Sequence, residues 1–505
     1  MQSVQIVLSL VAVATVVATF ADRVSVPAPS LLVVAGILVG LLPVAGHIQV
    51  TPEIVSLVVL PPLLYAAGEE LSWQELKNLW RPVALLAVGL VLVSAAAVGY
   101  VSTLLTPMPL PVGFVLGAVL ASTDPVAVTA LGRRLSLPPR LQTLVQAESL
   151  FNDATSLILF RIAVAAAVAG GVAGWSGVAA DFLLLAGGGA LVGTLMAAVI
   201  SFVRRRTEDP VLESVIALLT PYVTFVLAEN VHASGVTAVI VTGVILGVRA
   251  HRLTNSGIRL QLTAVYGTLI FILESVVFSL IGIQLPGQIE ELAGQPWIPA
   301  ALVIAVVLVA VRVAWMVPLS AVQQWRGGGR IRPAWQVPAV VSWAGARGVV
   351  PLAAALSIPA TLPHRPLLMV LTTSVIVISL VVQGFTLAPL VRLSGLAVAP
   401  DNARAEYTLA RAHLSEIALT YVDELADLEA ASPVVLQHVR RSLEAQNELE
   451  QAPDELAEAY GHLRRDVLAV QTAEVARLHT SGKISEETRR RLQLHLDRQD
   501  QRYLS

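Results

Sequence analysis

The chain has 505 residues, of which 55% are hydrophobic and 13% are charged, and its formal net charge at pH 7 is −2. Soluble domains carry about 25% charged residues, so the composition excludes an ordinary soluble protein and predicts a polytopic membrane protein. The absence of cysteine excludes disulfides, thiolate metal sites and cysteine nucleophiles.

About thirteen apolar segments are predicted to be transmembrane helices, because about 20 apolar residues cross the hydrocarbon core of a bilayer. The predicted spans are 4–20, 29–46, 53–68, 83–105, 111–131, 141–169, 179–203, 212–230, 234–250, 260–285, 297–322, 334–357 and 365–395. The N-terminal residues lack a basic region and a small-residue cleavage site, so the first segment is interpreted as a retained helix and not a signal peptide. The predicted fold class is therefore all-α.

Basic residues in alternate loops predict the orientation of these spans, because cytoplasmic loops are enriched in Lys and Arg. With the N-terminus outside, the inward loops hold most of the basic residues, and Arg365 is the outward exception. The inward set is Arg23, Lys77, Arg81, Arg133, Arg134, Arg140, Arg204, Arg205, Arg206, Arg249, Arg252, Arg259, Arg326, Arg330 and Arg332. The C-terminus is then predicted to be cytoplasmic.

The composition changes near residue 400, which separates a membrane domain (1–400) from a charged segment (401–505). Apolar residues at helical spacing in 401–505 predict a soluble helical cytoplasmic tail. We interpret the tail as a solvated helical hairpin or dimer-stabilising arm; the alternative is a sensor domain for an unidentified regulator. It contains no nucleic-acid-binding motif, so no nucleic-acid partner is expected.

Predicted span 5 is interrupted near its middle by Thr123-Asp124-Pro125. Proline removes a backbone donor and clashes with the preceding turn, so the helix cannot continue straight through. Freed peptide groups at membrane depth need protein or water as partners, and Thr123 and Asp124 can supply them. An ionisable residue at this depth favours a functional role.

A second interruption is predicted in span 12, where two glycines and a following proline surround Arg347 in Gly345-Ala346-Arg347-Gly348-Val349-Val350-Pro351. Spans 5 and 12 run in opposite directions, as the inverted repeats of secondary transporters require. Each free helix end carries about half a charge. Asp124 would offset the positive ends and Arg347 the negative ends; this role is favoured for Asp124 over direct cation ligation.

Predicted span 6 supplies a candidate ion-binding site from Ser149, Asn152 and Asp153, whose spacings of three and four can share a helix face. Carboxylate, hydroxyl and amide oxygens suit hard monovalent cations. A desolvated carboxylate disfavours being empty and charged, so Asp153 can hold either a proton or a cation. The alternative is that Asp153 is paired with an arginine.

Glu148 points away from that face and is predicted to pair with Arg347, since a buried pair avoids two stranded charges. Glu274 and Arg312, deep in spans 10 and 11, are predicted to be ion-paired scaffolding. No partners are assigned to Arg161, Glu213 and Glu229.

Five motifs together resemble the sodium/proton antiporters of the NhaP–NHE kind, within the monovalent cation:proton antiporter family, over about residues 1–395. They are Pro61-Pro62-Leu63-Leu64-Tyr65, Ser122-Thr123-Asp124-Pro125, Glu148-Ser149-Leu150-Phe151-Asn152-Asp153, Leu273-Glu274-Ser275-Val276-Val277-Phe278 and Gly345-Ala346-Arg347-Gly348, with Gly282 and Arg312 besides. The resemblance implies an NhaA/NhaP-like fold with two crossed discontinuous helices, a transport bundle that includes spans 5, 6, 12 and 13, a dimerisation domain, a homodimer and elevator-like alternating access.

The resemblance also implies roles for the site residues. Asp153 would be the exchanged carboxylate, Thr123 and Ser149 would be neutral Na⁺ ligands, and Asn152 would support them. Glu148 would pair with Arg347, and Glu274 would lie paired near Arg312. A neutral Asn152 beside a single aspartate suggests electroneutral 1:1 exchange. In many relatives a glutamate closes the first motif, whereas here Ala66 follows Tyr65, and Glu69 or Glu70 would replace it.

The expected function is exchange of Na⁺, with Li⁺ as a further substrate, for H⁺ across the inner membrane of a bacterial-type cell. The protein is expected to be a transporter, not an enzyme, and to need no cofactor. The alternatives are K⁺/H⁺ or mixed K⁺/Na⁺ exchange and, in another class, a membrane sensor that signals through 401–505 without transport.

Overall fold

The structure, a computed structural model, describes residues 11–17, 19, 27–42, 55–126, 137–169, 174–207, 209–254, 256–292, 294, 296–326, 335–396, 400–428, 432–450, 454–481 and 483–504. All regular secondary structure in these residues is helical, and their helices are numbered α1 to α18. Contacts divide the chain into two compact units, Met1–Val398 and Ala399–Ser505.

The first unit contains fourteen of the described helices. They are α1 (Ala28–Gly40), α2 (Leu60–Glu69), α3 (Trp73–Ala84), α4 (Val91–Leu105), α5 (Leu110–Ala121), α6 (Pro139–Ala169), α7 (Trp175–Arg204), α8 (Pro210–Asn230), α9 (Gly235–Leu253), α10 (Ser256–Glu291), α11 (Ile298–Arg326), α12 (Gln336–Trp343), α13 (Val349–Leu356) and α14 (Arg365–Ser394). π-Helical segments precede α2 (Val55–Val59) and join α3 to α4 (Leu85–Leu90).

Within the described part of the chain, seven helices are long and apolar enough to cross a membrane, and four more apolar helices are shorter. Most of predicted span 1 (4–20) and the basic loop that holds Arg133 and Arg134 lie outside the described residues. The multi-pass, all-helical architecture follows from these helices, whereas the number of thirteen spans stays a prediction.

Two predicted boundaries differ from the structure at the ends of helices. Lys77 and Arg81, predicted in a loop, lie on the amphipathic α3, which continues into the next span. Arg204, also predicted in a loop, ends α7 as a buried residue and pairs with buried Glu213 at 2.7 Å. The pattern of charges along the chain cannot reveal that Arg204 is buried. Its burial is tolerable only because it pairs with Glu213, which belongs to the next helix.

Small residues bring α1 and α10 into close contact. A Cβ on Gly282 would lie 2.6 Å from Ile37 N and 2.8 Å from Gly36 C, too close for any real side chain. Gly36 and Gly40 of α1 face Ser279 and Ile283 of α10 in the same way. This is the close backbone approach that small residues allow between membrane helices.

The interrupted segments lie in the most deeply buried part of the first unit. All eight residues of α13 are buried, as are most residues of α5. A helix that is apolar on every side belongs in the interior of a bundle. The two interruptions of helical structure, after Ala121 and between Trp343 and Val349, are therefore enclosed by protein.

The second unit contains α15 (Pro400–Asp427), α16 (Pro433–Glu450), α17 (Asp454–Thr480) and α18 (Glu486–Leu504). Its helices carry exposed ion pairs: Arg440 of α16 pairs with Asp423 of α15 at 2.8 Å and with Glu444 at 2.9 Å.

Candidate functional site

The candidate site begins where α5 ends. Ser122, the residue after α5, has an extended backbone (φ −66°, ψ 145°), so the chain leaves the helix there. Ser122 and Thr123 are buried against α6. The break therefore exposes peptide groups to a neighbouring helix and not to lipid, as membrane burial requires.

Three side chains of α6 meet Thr123. Ser149 Oγ donates to the Thr123 carbonyl at 2.5 Å, and Asn152 Nδ2 donates to Thr123 Oγ1 at 2.6 Å. Asn152 Oδ1 accepts from Thr123 N at 3.3 Å, and Thr123 Oγ1 donates to Glu148 Oε1 at 3.5 Å. The structure thus brings together Thr123, Ser149 and Asn152, and their oxygens form one network around the break.

Asp153 is 7% exposed and accepts a short hydrogen bond from the Ser122 hydroxyl. No ion pair to Asp153 is found among the described residues. From the sequence Ser122 was assigned no role in the site, although it begins the motif Ser122-Thr123-Asp124-Pro125; its position beside the break was the available signal. Asp153 is therefore a buried carboxylate with a neutral hydroxyl partner.

Asp124 connects the two interrupted segments. Its backbone N–H donates to the Ala346 carbonyl at 2.7 Å, and its Oδ2 accepts from Val349 N, the first residue of α13, at 3.3 Å. Gly348 makes this possible, because the Asp124 carboxyl group occupies the space where a Cβ would stand. The carboxylate lies at a helix N-terminus, where negative charge is favoured.

Arg347 lies between α12 and α13 and is 4% exposed. Its backbone N–H donates to Ser379 Oγ at 3.0 Å, and its Nη1 donates to the Gly345 carbonyl at 2.5 Å. That carbonyl stands just beyond the C-terminal end of α12. The guanidinium is thus turned towards the negative end of the short helix.

Glu148 pairs with Arg312, so the predicted pairing of Glu148 with Arg347 is wrong. Arg312 Nη1 and Nη2 each donate to one oxygen of Glu148 at 2.6 Å, and Arg312 Nε donates to the Val341 carbonyl at 3.0 Å. The two charged side chains are 4% and 1% exposed. A bidentate pair in which the Nε of the arginine also has an acceptor suits such burial.

The predicted pairing of Glu274 near Arg312 stays a prediction. Among the described residues Glu148 is the carboxylate partner of Arg312, and Glu274 lies half-buried on α10. Gly345 lets Arg312 approach, since a Cβ there would lie 2.8 Å from Arg312 Nε. Helical spacing shows that Glu148 does not share the face of Ser149, Asn152 and Asp153. It does not show whether Arg312 or Arg347, which lie outside α6, is closer to Glu148.

Two further ion pairs involve charges to which the sequence assigned no partner. Arg161 Nη2 lies 2.5 Å from Glu229 Oε1 in a partly exposed pair, and Glu213 is the buried partner of Arg204. These pairs connect α6 to α8 and α7 to α8. They place none of these residues beside Asp153 and Thr123.

The arrangement can bind a small cation or a proton. Hard cations take oxygen ligands, and carboxylate, hydroxyl, amide and carbonyl oxygens converge between α6 and the break after α5. No hydrogen bond joins Asp153 to Thr123 or Ser149 among the described residues. The predicted ligands therefore form two adjacent sets, Asp153 with Ser122 and Thr123 with Ser149 and Asn152.

Comparison with known families gives a match over most of the first unit. The family described as "Sodium/hydrogen exchanger, transmembrane" matches residues 10–393. An uncharacterized Na⁺/H⁺ exchanger of Mycobacterium bovis is 32% identical over 517 aligned residues, covering 97% of this chain and 94% of that protein. A sodium, potassium, lithium and rubidium/H⁺ antiporter of Bacillus pumilus is 32% identical over 408 aligned residues, covering 76% of this chain and 60% of that protein.

A solved structure shares the helical fold. The sodium proton antiporter MjNhaP1 of Methanocaldococcus jannaschii superimposes with a TM-score of 0.63 at 20% sequence identity. The match covers 76% of this chain and 99% of the solved chain. At this identity the similarity shows the fold alone.

Proposed function

The chain belongs to the sodium/hydrogen exchanger family, and on this basis we propose that it exchanges Na⁺, and also Li⁺, for a proton across a membrane. Members of the family are transporters and not enzymes, and the family resemblance predicted from the motifs is confirmed. The chain is a multi-pass membrane protein. The cation and the proton are its substrates, and the proposal requires no cofactor.

The environment of Asp153 carries this proposal. Asp153 is buried, is hydrogen-bonded to a neutral hydroxyl and forms no ion pair among the described residues. A buried carboxylate without a cationic partner is costly when it is empty. Either a proton or a Na⁺ ion removes that cost, and the two cannot occupy the same oxygens together. Competition for Asp153 is therefore the proposed basis of exchange.

The neighbouring oxygens complete the proposed cation site. Thr123 and Ser149 would contribute hydroxyl or carbonyl oxygens, and Ser122 would turn a lone pair towards the ion when its hydrogen bond to Asp153 is displaced. Asn152 contacts both the N–H and the hydroxyl of Thr123, so we assign it to holding the interrupted chain in position.

Asp124 and Arg347 have a supporting electrostatic role in this proposal. Asp124 accepts from the N-terminus of α13, and Arg347 donates to the carbonyl beyond α12. Opposite charges at these helix ends stabilise two interrupted helices that meet inside the membrane. We propose that spans 5 and 12 are these crossed discontinuous helices, related by an inverted repeat.

One carboxylate that carries either one Na⁺ or one H⁺ gives electroneutral 1:1 exchange. Asn152, beside Asp153, is neutral, so the proposed site contains a single exchangeable charge. The site then has the same net charge when it carries Na⁺ in one direction as when it carries H⁺ in the other.

A broader cation range is the second candidate. The Bacillus pumilus relative, 32% identical, has potassium, lithium and rubidium in its name besides sodium. Oxygen ligands serve all these ions, so K⁺/H⁺ or mixed K⁺/Na⁺ exchange uses the same residues.

In the proposed architecture residues 1–400 of each subunit form thirteen spans, and the N-terminus lies outside. The protein would be a homodimer in the inner membrane. Residues 401–505 would form the cytoplasmic helical tail. A cysteine placed in the tail tests the orientation, because the natural chain has none. An impermeant thiol reagent should label it only after the cells are opened.

Exchange in proteoliposomes tests the function. With the full chain reconstituted, adding Na⁺ or Li⁺ to acid-loaded vesicles is expected to collapse the pH gradient, followed with a ΔpH-sensitive dye. An imposed membrane potential should leave the rate unchanged if exchange is 1:1. A rate that follows the potential contradicts the stoichiometry, and a larger response to K⁺ than to Na⁺ selects the second candidate.

Ser122→Ala is expected to weaken cation binding without abolishing exchange. It removes one oxygen that would face the bound ion, and the loss of a polar contact to a charged group, about 1.5–3 kcal/mol, corresponds to an increase of roughly tenfold or more in the apparent KM for Na⁺. The matched control is Ser156→Ala on α6, whose hydroxyl donates to the Ala118 carbonyl instead. Equal KM values for the two variants would remove Ser122 from the site.

A further inference from the structure

A cavity of about 420 Å³ lies between α11, α14 and the interrupted segment 344–348. Its walls are apolar and include Leu302, Val306 and Val309 of α11 with Ile378 and Val382 of α14. Leu302, Val306 and Val382 are also exposed on the surface of the bundle, so the cavity opens sideways through apolar side chains. Its volume is within the range of about 300–1,000 Å³ typical of small-molecule sites.

The polar end of this cavity includes Arg347, a buried cation with few partners. A guanidinium has five N–H donors, yet in the described part of the chain the Gly345 carbonyl is its one acceptor, and Nε has none. Two other residues at this end carry unpartnered buried oxygens, Ser342 Oγ and Gln383 Oε1. Buried polar groups normally have partners, so these atoms can take up hydrogen bonds from a ligand or from water.

The local charge specifies what kind of ligand fits. Arg312 and Arg347 both line the cavity, and Glu148 forms its ion pair with Arg312, so Arg347 is without an ion pair among the described residues. On its other side Arg347 borders a gap lined by Thr123 and Glu148 that has no room for a water molecule. A compensating anion must therefore reach Arg347 through the apolar cavity.

We propose that this cavity binds a single-chain carboxylate amphiphile, a long-chain fatty acid, with its chain between α11 and α14 and its carboxylate on Arg347. A charge-assisted Arg–carboxylate contact supplies the missing acceptor, and Ser342 can donate a further hydrogen bond. The chain of a phospholipid fits the walls equally well, but its glycerol and head group would have to enter the hydrocarbon region to reach Arg347. Asp153 is not among the residues that line this cavity.

Fluorescence of Trp343, which lines the cavity, tests the proposal in the purified full chain. Brominated hexadecanoate is expected to quench Trp343 saturably, and Trp343→Phe should remove that component. Brominated hexadecanol has the same chain without the charge, and its binding is expected to be at least about tenfold weaker. Equal affinities for the acid and the alcohol would overturn the carboxylate contact.

Two valines of α11 provide a matched pair of variants. Val309→Phe fills the cavity and is expected to abolish saturable quenching, whereas Val303→Phe makes the same change at an exposed position outside the cavity and should retain it. Val382→Phe, from α14, is the second filling variant if Val309→Phe does not fold. Quenching that never saturates, or that persists in both filling variants, overturns the proposal. Because the readout is binding, it remains decisive even if no exchange is found.

Discussion

Replacing Asp153 by asparagine is expected to reduce cation-dependent proton exchange to the level of vesicles without protein. An amide of nearly the same shape can neither take up a proton at neutral pH nor neutralise a cation. Asp153 lies buried beside Ser122 with no ion pair in the described structure, so the variant removes a charge without leaving a cation unpaired. The collapse of a pH gradient on addition of Na⁺ or Li⁺ measures the effect.

The matched control is Asp181→Asn, the same chemical change at an exposed position on α7. It is expected to exchange at the rate of the natural protein. Because Asp153→Asn removes a buried charge that has no ion-pair partner in the described structure, it should unfold at or above the temperature of the natural protein. Full exchange by a folded Asp153→Asn variant would disprove the proposed mechanism.

Removing either partner of the Glu148–Arg312 pair is expected to lower the free energy of unfolding by about 3–5 kcal/mol. Both side chains are almost completely buried, and both nitrogens of the guanidinium fork are used. Glu148→Gln leaves Arg312 as an unpaired buried cation, and Arg312→Gln leaves Glu148 as an unpaired buried anion. Thermal unfolding of the purified variants measures the loss.

A double-mutant cycle distinguishes this pair from the pairing predicted by the sequence. Glu148→Gln combined with Arg312→Gln is expected to show a coupling energy of about 1–3 kcal/mol, because the two side chains are in contact. Glu148→Gln combined with Arg347→Gln should show a smaller coupling energy, since Arg347 donates to the Gly345 carbonyl and not to Glu148. A larger coupling for the second pair would favour the original prediction.

The family, the membrane class and the side chains of α6 that face the break in span 5 could be predicted because they depend on local features of the sequence. Segment length and apolar content determine whether a helix can cross a bilayer. Pro125 interrupts a helix wherever the helix packs, and spacings of three and four place Ser149, Asn152 and Asp153 on one face of α6. None of these features requires knowledge of a neighbouring helix.

Contacts between distant segments were decided only by the tertiary structure. The partner of Glu148, the hydrogen bond from Ser122 to Asp153 and the burial of Arg204 depend on distances between helices that sequence spacing does not contain. Gly345 and Gly348 illustrate the physical reason. Both are read in the sequence as loosening a helix, yet their missing side chains also let Arg312 and Asp124 approach the interrupted segment. The close packing of the helices around the interrupted segment determines which charged side chains meet. The cavity beside Arg347 is lined by the same segment.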